Sequence, residues 1–79
     1  MDDDEMWDGH RMVDERTRQT AYRVRGARVC DANSNALVYR IRDNSRVVDS
    51  NTNQLVFRIR DDGRVVDANT NHLRYRLKG

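Results

Sequence analysis

The sequence predicts an all-β fold, an antiparallel meander of seven to eight strands. Three observations predict it. A unit of about 18 residues recurs along the chain. Each unit holds two stretches in which apolar and polar residues alternate. Turn-forming residues separate those stretches. The aligned segments are YRVRGARVCDANSNALV, YRIRDNSRVVDSNTNQLV and FRIRDDGRVVDANTNHLR, and the chain closes on Tyr75-Arg76-Leu77-Lys78. A degenerate fourth copy stands upstream, with Arg11-Met12-Val13-Asp14 in the place of Arg64-Val65-Val66-Asp67.

Expected strands run over 11–14, 20–25, 28–32, 36–42, 46–50, 54–60, 64–68 and 72–78. The first is the short Arg-Met-Val-Asp stretch. The second carries Tyr22 and Val24 in alternation with Arg23 and Arg25. Gly26-Ala27 then reads as a two-residue type II′ loop into the third strand. Asp43-Asn44-Ser45 and Asp61-Asp62-Gly63 read as three-residue loops with a left-handed third position. The Asp-x-Asn-Thr/Ser-Asn segments read as three-residue loops with a left-handed Asn. Register follows from those loops. Ile59 opposes Val65, Phe57 opposes Asp67, Val47 opposes Phe57 and Asp49 opposes Leu55. One face then collects Met12, Val24, Val29, Ile41, Val47, Phe57, Ile59, Val65 and Leu77. Tyr22, Tyr39, Tyr75, Leu37, Leu55 and Leu73 join that core face. Four hairpins around a pseudo-fourfold axis would bury it within one chain. An open curved sheet completed by oligomerisation is the alternative.

These hairpins resemble fourfold β-flower domains, small folds in which short hairpins radiate around an axis. The resemblance covers residues 11–79 and rests on repeat length, hairpin reading and copy number. It implies a fold and no activity.

Composition narrows the function classes. The chain has 79 residues, of which 35% are charged, and a single cysteine. It forms one small domain with a thin core, and one thiol makes no intrachain disulfide. Edge strands and a thin core favour burial completed by partner chains. No signal peptide or membrane-spanning run is read, so an intracellular or virion setting is expected. No catalytic or cofactor signature occurs, so the chain is read as no enzyme, with no cofactor and no metal. The expected role is a structural or interaction module within a larger assembly or homo-oligomer, such as a virion component. The alternative is an Arg-rich anion-binding module for nucleic acid or an acidic polymer.

Charge is divided along the chain. Asp2, Asp3, Asp4, Glu5 and Asp8 stand in a leader over residues 1–10, apart from the hairpin-repeat domain of 11–79. Arg23, Arg25, Arg40, Arg42, Arg58, Arg60 and Arg76 share the face opposite the core, with Arg28, Arg46, Arg64 and Lys78 beside them. They are the candidate partner-binding or anion-binding residues, since guanidinium forks suit phosphates and carboxylates. A GC-rich coding sequence would give the same Arg bias. The leader or an acidic partner would neutralise Arg40, Arg42, Arg58 and Arg60, and a free strand at 72–78 or 11–14 would pair with another chain. Asp14, Asp31, Asp49 and Asp67 precede the Asn turns and are expected to cap turn amides. A ring of four carboxylates around a hard cation is the competing reading. Cys30, on the outer face, is either a small hydrophobe or an interchain contact. Trp7 is expected to dock on the domain or on a neighbouring subunit. His10 and His72 are read as surface residues.

Overall fold

A computed structural model describes residues 5–79. Alternation of inward apolar and outward charged residues produces eight strands. These are β1 (Arg11–Asp14), β2 (Thr20–Arg25), β3 (Arg28–Asp31), β4 (Leu37–Arg42), β5 (Arg46–Asp49), β6 (Leu55–Ile59), β7 (Arg64–Asp67) and β8 (Leu73–Lys78). Each strand pairs antiparallel with the next, and β1 pairs with β8, so the meander closes into a barrel. Closure corrects two expectations. The sheet is not open, and neither β1 nor β8 has a free edge to offer another chain. Arg11 lies opposite Lys78 and Asp14 opposite Tyr75, so both end strands spend their backbone groups on each other. Among the described residues no helix is long and apolar enough to cross a membrane.

Barrels of eight strands have interiors just wide enough for side chains to fill. Here Met12, Val29, Val47 and Val65, from the odd-numbered strands, have no exposed surface. Val24, Ile41, Ile59 and Leu77, from the even-numbered strands, are buried beside them. At one end four aromatic rings meet edge to face in a closed cycle. Tyr22 touches Tyr39, Tyr39 touches Phe57, Phe57 touches Tyr75, and Tyr75 returns to Tyr22, with centroids 5.5, 5.6, 5.5 and 5.7 Å apart. That geometry sets positive ring edges on negative ring faces.

The hairpin turns follow the sequence reading in part. Gly26 has a φ of 57° and Ala27 stays at negative φ, as a type II′ loop requires. Gly63 has a φ of 93° at the third loop position. Its missing Cβ matters, because one would sit 3.1 Å from the Leu77 carbonyl oxygen. In the intervening loop Ser45 does not take the left-handed place. Asp43 and Asn44 take it instead, at φ 54° and 61°. Asp and Asn tolerate that region better than Ser, and the Ser45 amide closes the turn onto the Arg42 carbonyl.

The Asn turns are one residue longer than expected. The Asp49 amide bonds the Gln54 carbonyl, and four residues lie between them. The extra residue forces a bulge between Val47 and Val48, so Leu55 opposes Val48 rather than Asp49. Equivalent bulges set Leu37 opposite Cys30 and Leu73 opposite Val66. These three leucines therefore leave the core face. Leu37 is exposed, and Leu55 and Leu73 are half-buried. A bulge shifts the side-chain alternation by one place, which is why strict period two misplaced them.

Candidate anion-binding belt

The outward positions of the strands set basic residues opposite one another on neighbouring strands. Arg11 stands between Lys78 and Arg23. Arg28 stands between Arg25 and Arg40, and Arg46 between Arg42 and Arg58. Arg64 lies opposite Arg76, and its carbonyl accepts the Arg60 amide. Consecutive triads join through residues two apart, such as Arg23 with Arg25 on β2, Arg40 with Arg42 on β4, and Arg58 on β6 with Arg60 just past its end. Side chains two apart on a strand share a face. The result is a continuous basic belt around the barrel. All seven candidate binding arginines lie on it, and all are exposed. Closure adds Arg11 at the β1–β8 seam, which alternation alone could not set beside Lys78.

Few acids reach this belt. Among the described residues, ion pairs join Asp43 to Arg46, Asp62 to Arg64 at 2.9 Å and Glu15 to Arg76 at 2.7 Å. Arg74, off the belt, reaches Asp67 at 3.6 Å. The expected neutralisation by the leader involves Asp2, Asp3 and Asp4, which lie outside the described residues. Asp8 is occupied elsewhere, since its Oδ1 accepts the Gly26 amide at 2.7 Å. Like charges opposite one another destabilise a sheet. Arg28 has Arg25 and Arg40 on its two sides. Arg28→Gln is therefore expected to raise the melting temperature at low salt, with the gain fading at about 1 M salt, where the Debye length is about 3 Å. An equal melting temperature for both proteins at low salt would show that the belt is unstrained.

The outer apolar residues sit under this belt. Val48 lies opposite Arg40 and Val66 opposite Arg58, and both are buried. Arginine stems cover apolar surface while the head stays wet. Cys30 lies opposite Arg23 in the same arrangement and is only 8% exposed. Within the chain its thiol is free.

Trp7 is spent within its own chain. It is buried against the barrel interior, and its Nε1 donates to the Asn44 carbonyl at 2.8 Å. The Met6 amide donates to Asn44 Oδ1 at 3.0 Å. Residues 5–10 thus plug the rim formed by the short turns. His10 is not a plain surface residue. It stacks edge to face on Trp7 at 5.1 Å, and its Nδ1 is buried with no hydrogen-bond partner. His72 is exposed. The signal for the Asn44 contact is weak in the sequence. Asn44 stands where the next repeat has Asp62.

At the opposite end, each turn-preceding aspartate accepts two amides on one oxygen. Asp31 Oδ1 takes Asn33 at 2.7 Å and Ser34 at 3.1 Å. Asp14, Asp49 and Asp67 repeat those distances on Arg16 and Thr17, Asn51 and Thr52, and Asn69 and Thr70. The left-handed residue of each turn is Asn35, Asn53 or Asn71, and Arg18 in the first copy. Among the described residues no three acidic, His or Cys side chains converge as metal ligands. Burial pushes the Tyr22 and Tyr75 hydroxyls above the ordinary tyrosine value, so these two stay protonated at neutral pH.

The turn amides hold Asp14, Asp31 and Asp67 below the usual aspartate value. The Arg64 guanidinium does the same for Asp62. A carboxylate whose folded value is depressed stabilises the fold above its unfolded value of about 3.9. That contribution is lost as pH falls through the folded value. Melting temperature is therefore expected to hold down to about pH 5 and to drop below about pH 4. Asp31→Asn keeps an oxygen acceptor but removes the titration. Its acid limb should be shallower, and an unchanged limb would exclude Asp31 as a contributor.

The chain matches no family model, no curated protein and no solved structure.

Proposed function

We propose that this protein is a non-enzymatic interaction module of a larger assembly that holds a polyanion on its arginine belt. The belt itself carries this reading. Twelve exposed bases form one continuous ring, and described acids pair with three of them. A single-sign ring keeps its mutual repulsion until counter-charge arrives, and a polyanion supplies it with release of its own counterions. The interior offers no competing site, because side chains fill it and no polar or charged residue among those described is fully buried. Assembly through a free strand or a shared core has lost its basis in the closed barrel. The belt is the surface left to work. A particle that packages nucleic acid is one assembly in which such a module would serve. The likeness to β-flower domains belongs to the same proposal, and four consecutive hairpins closing on a ring of aromatics support it.

A salt titration tests the reading. The full chain should bind random-sequence duplex DNA or polyglutamate at about 50 mM salt. Affinity for a duplex should fall linearly on a log–log plot, with a slope of about −0.9 per phosphate neutralised. Binding to neither polymer at low salt would overturn the proposal.

A further inference from the structure

We infer that one barrel bridges two nucleic-acid duplexes, gripping a phosphodiester backbone on each of two opposite sides. This rests on the polyanion reading and adds the partner class and the stoichiometry. Its origin is the closure of the sheet. In an eight-strand meander barrel, strands four apart lie across the axis from each other, so β1 and β5 face opposite ways. The triad of Lys78, Arg11 and Arg23 is centred on β1. The triad of Arg42, Arg46 and Arg58 is centred on β5. Of these six bases only Arg46 has an ion-pair partner among the described residues. A rod-like polyanion touching one triad leaves the other pointing away from it.

Size keeps the two sides independent. The molecule measures 32 × 26 × 24 Å. Two polyanions on opposite sides are thus held apart by more than two Debye lengths at physiological salt, each about 8 Å. Their mutual repulsion is screened, while each keeps its own contacts.

The same surface selects the partner. Peptides are recognised through a free sheet edge, an apolar groove, an aromatic-lined track or, for short acidic motifs, a compact Arg cluster, whereas this belt runs on around the barrel as a long polyanion requires. The closed barrel has no free edge, and the belt is a convex row of charges. Single strands need stacking platforms. Phe57 and Trp7 are buried in the core, the half-buried tyrosines pack against it, and each ring is engaged edge to face with another ring or with His10. Regularly spaced cations with no base-reading groups suit a duplex backbone, whatever its sequence.

The test uses the full chain, shown to be monomeric by sedimentation, and two random-sequence duplexes. One duplex is immobilised and the other is labelled. Co-capture of the labelled duplex is expected at low salt, with two duplexes bound per barrel at duplex excess. Two one-sided variants are compared. One carries Arg11→Gln, Arg23→Gln and Lys78→Gln, and the other carries Arg42→Gln, Arg46→Gln and Arg58→Gln. Each should halve the stoichiometry and abolish co-capture while keeping a cooperative melt, since in the other opposite pair of triads, on β3 and β7, Arg64 and Arg76 are already engaged by Asp62 and Glu15. Salt-dependent binding of a single duplex with no co-capture by the unaltered chain would overturn bridging and leave the polyanion reading intact. Co-capture surviving in both variants would also overturn it, because copies of the chain would then be linking the duplexes. Binding to polyglutamate but not to duplex would overturn the partner class alone. Binding to neither would remove the polyanion reading itself.

Discussion

Trp7→Ala lowers the melting temperature by about 12 °C or more. Trp7 is 7% exposed and belongs to the buried cluster. Truncating a buried Trp costs roughly 3–5 kcal/mol. In a domain of this length each kcal/mol is worth about 4–8 °C. Total stability of such domains is about 5–15 kcal/mol, so the rim plug carries a large share. The loss has two parts. The indole area returns to water, and the Asn44 carbonyl loses its donor. Trp7→Phe should lose less, because it keeps most of the area and forfeits only the hydrogen bond. Calorimetry gives the melting temperature. Emission gives an independent check in the unaltered protein, since Trp7 is the single tryptophan and its emission should shift red on unfolding. A Trp7→Ala protein that melts with the unaltered one would mean that the indole is not seated in the rim.

Phe57→Ala should be of similar size, about 3–5 kcal/mol. Phe57 is 5% exposed and completes the aromatic cycle between Tyr39 and Tyr75. It also lies opposite both Val47 and Asp67. Its removal opens a cavity and deprives two neighbours of an edge-to-face contact worth about 0.5–1.5 kcal/mol each beyond area. The neighbouring ladders are closed around it, which limits collapse into the gap. Urea denaturation should show a lower midpoint with an unchanged slope. A shift under about 1 kcal/mol would show that the rings are loosely packed.

Much of this architecture is legible in the residues. Val24 with Val29, Ile41 with Val47 and Ile59 with Val65 pair in the register that the two- and three-residue loops dictate. Local turn chemistry sets those pairs, so local sequence reveals them. Leu37, Leu55 and Leu73 are where period two fails. A bulge depends on the length of the turn beyond it, and four-residue Asn turns look much like three-residue ones. Closure is harder still. The pairing of Arg11 with Lys78 joins the two ends of the repeat region. It follows from the summed twist of eight strands, which no single segment displays. The docking of Trp7 on Asn44 is a single non-local contact with no periodic signature. For the belt, alternation placed the arginines on a common face, and closure then turned that face into a ring.

Closure has a bearing on crowding as well. Basic modules gathered on one long polymer reach high local concentrations, where unpaired β ribbons seed fibrils. Among the described residues no ladder is left unfinished, since the first strand zips to the last. On the proposed polyanion reading, copies gathered side by side on one template are expected to stay clear of edge-to-edge stacking.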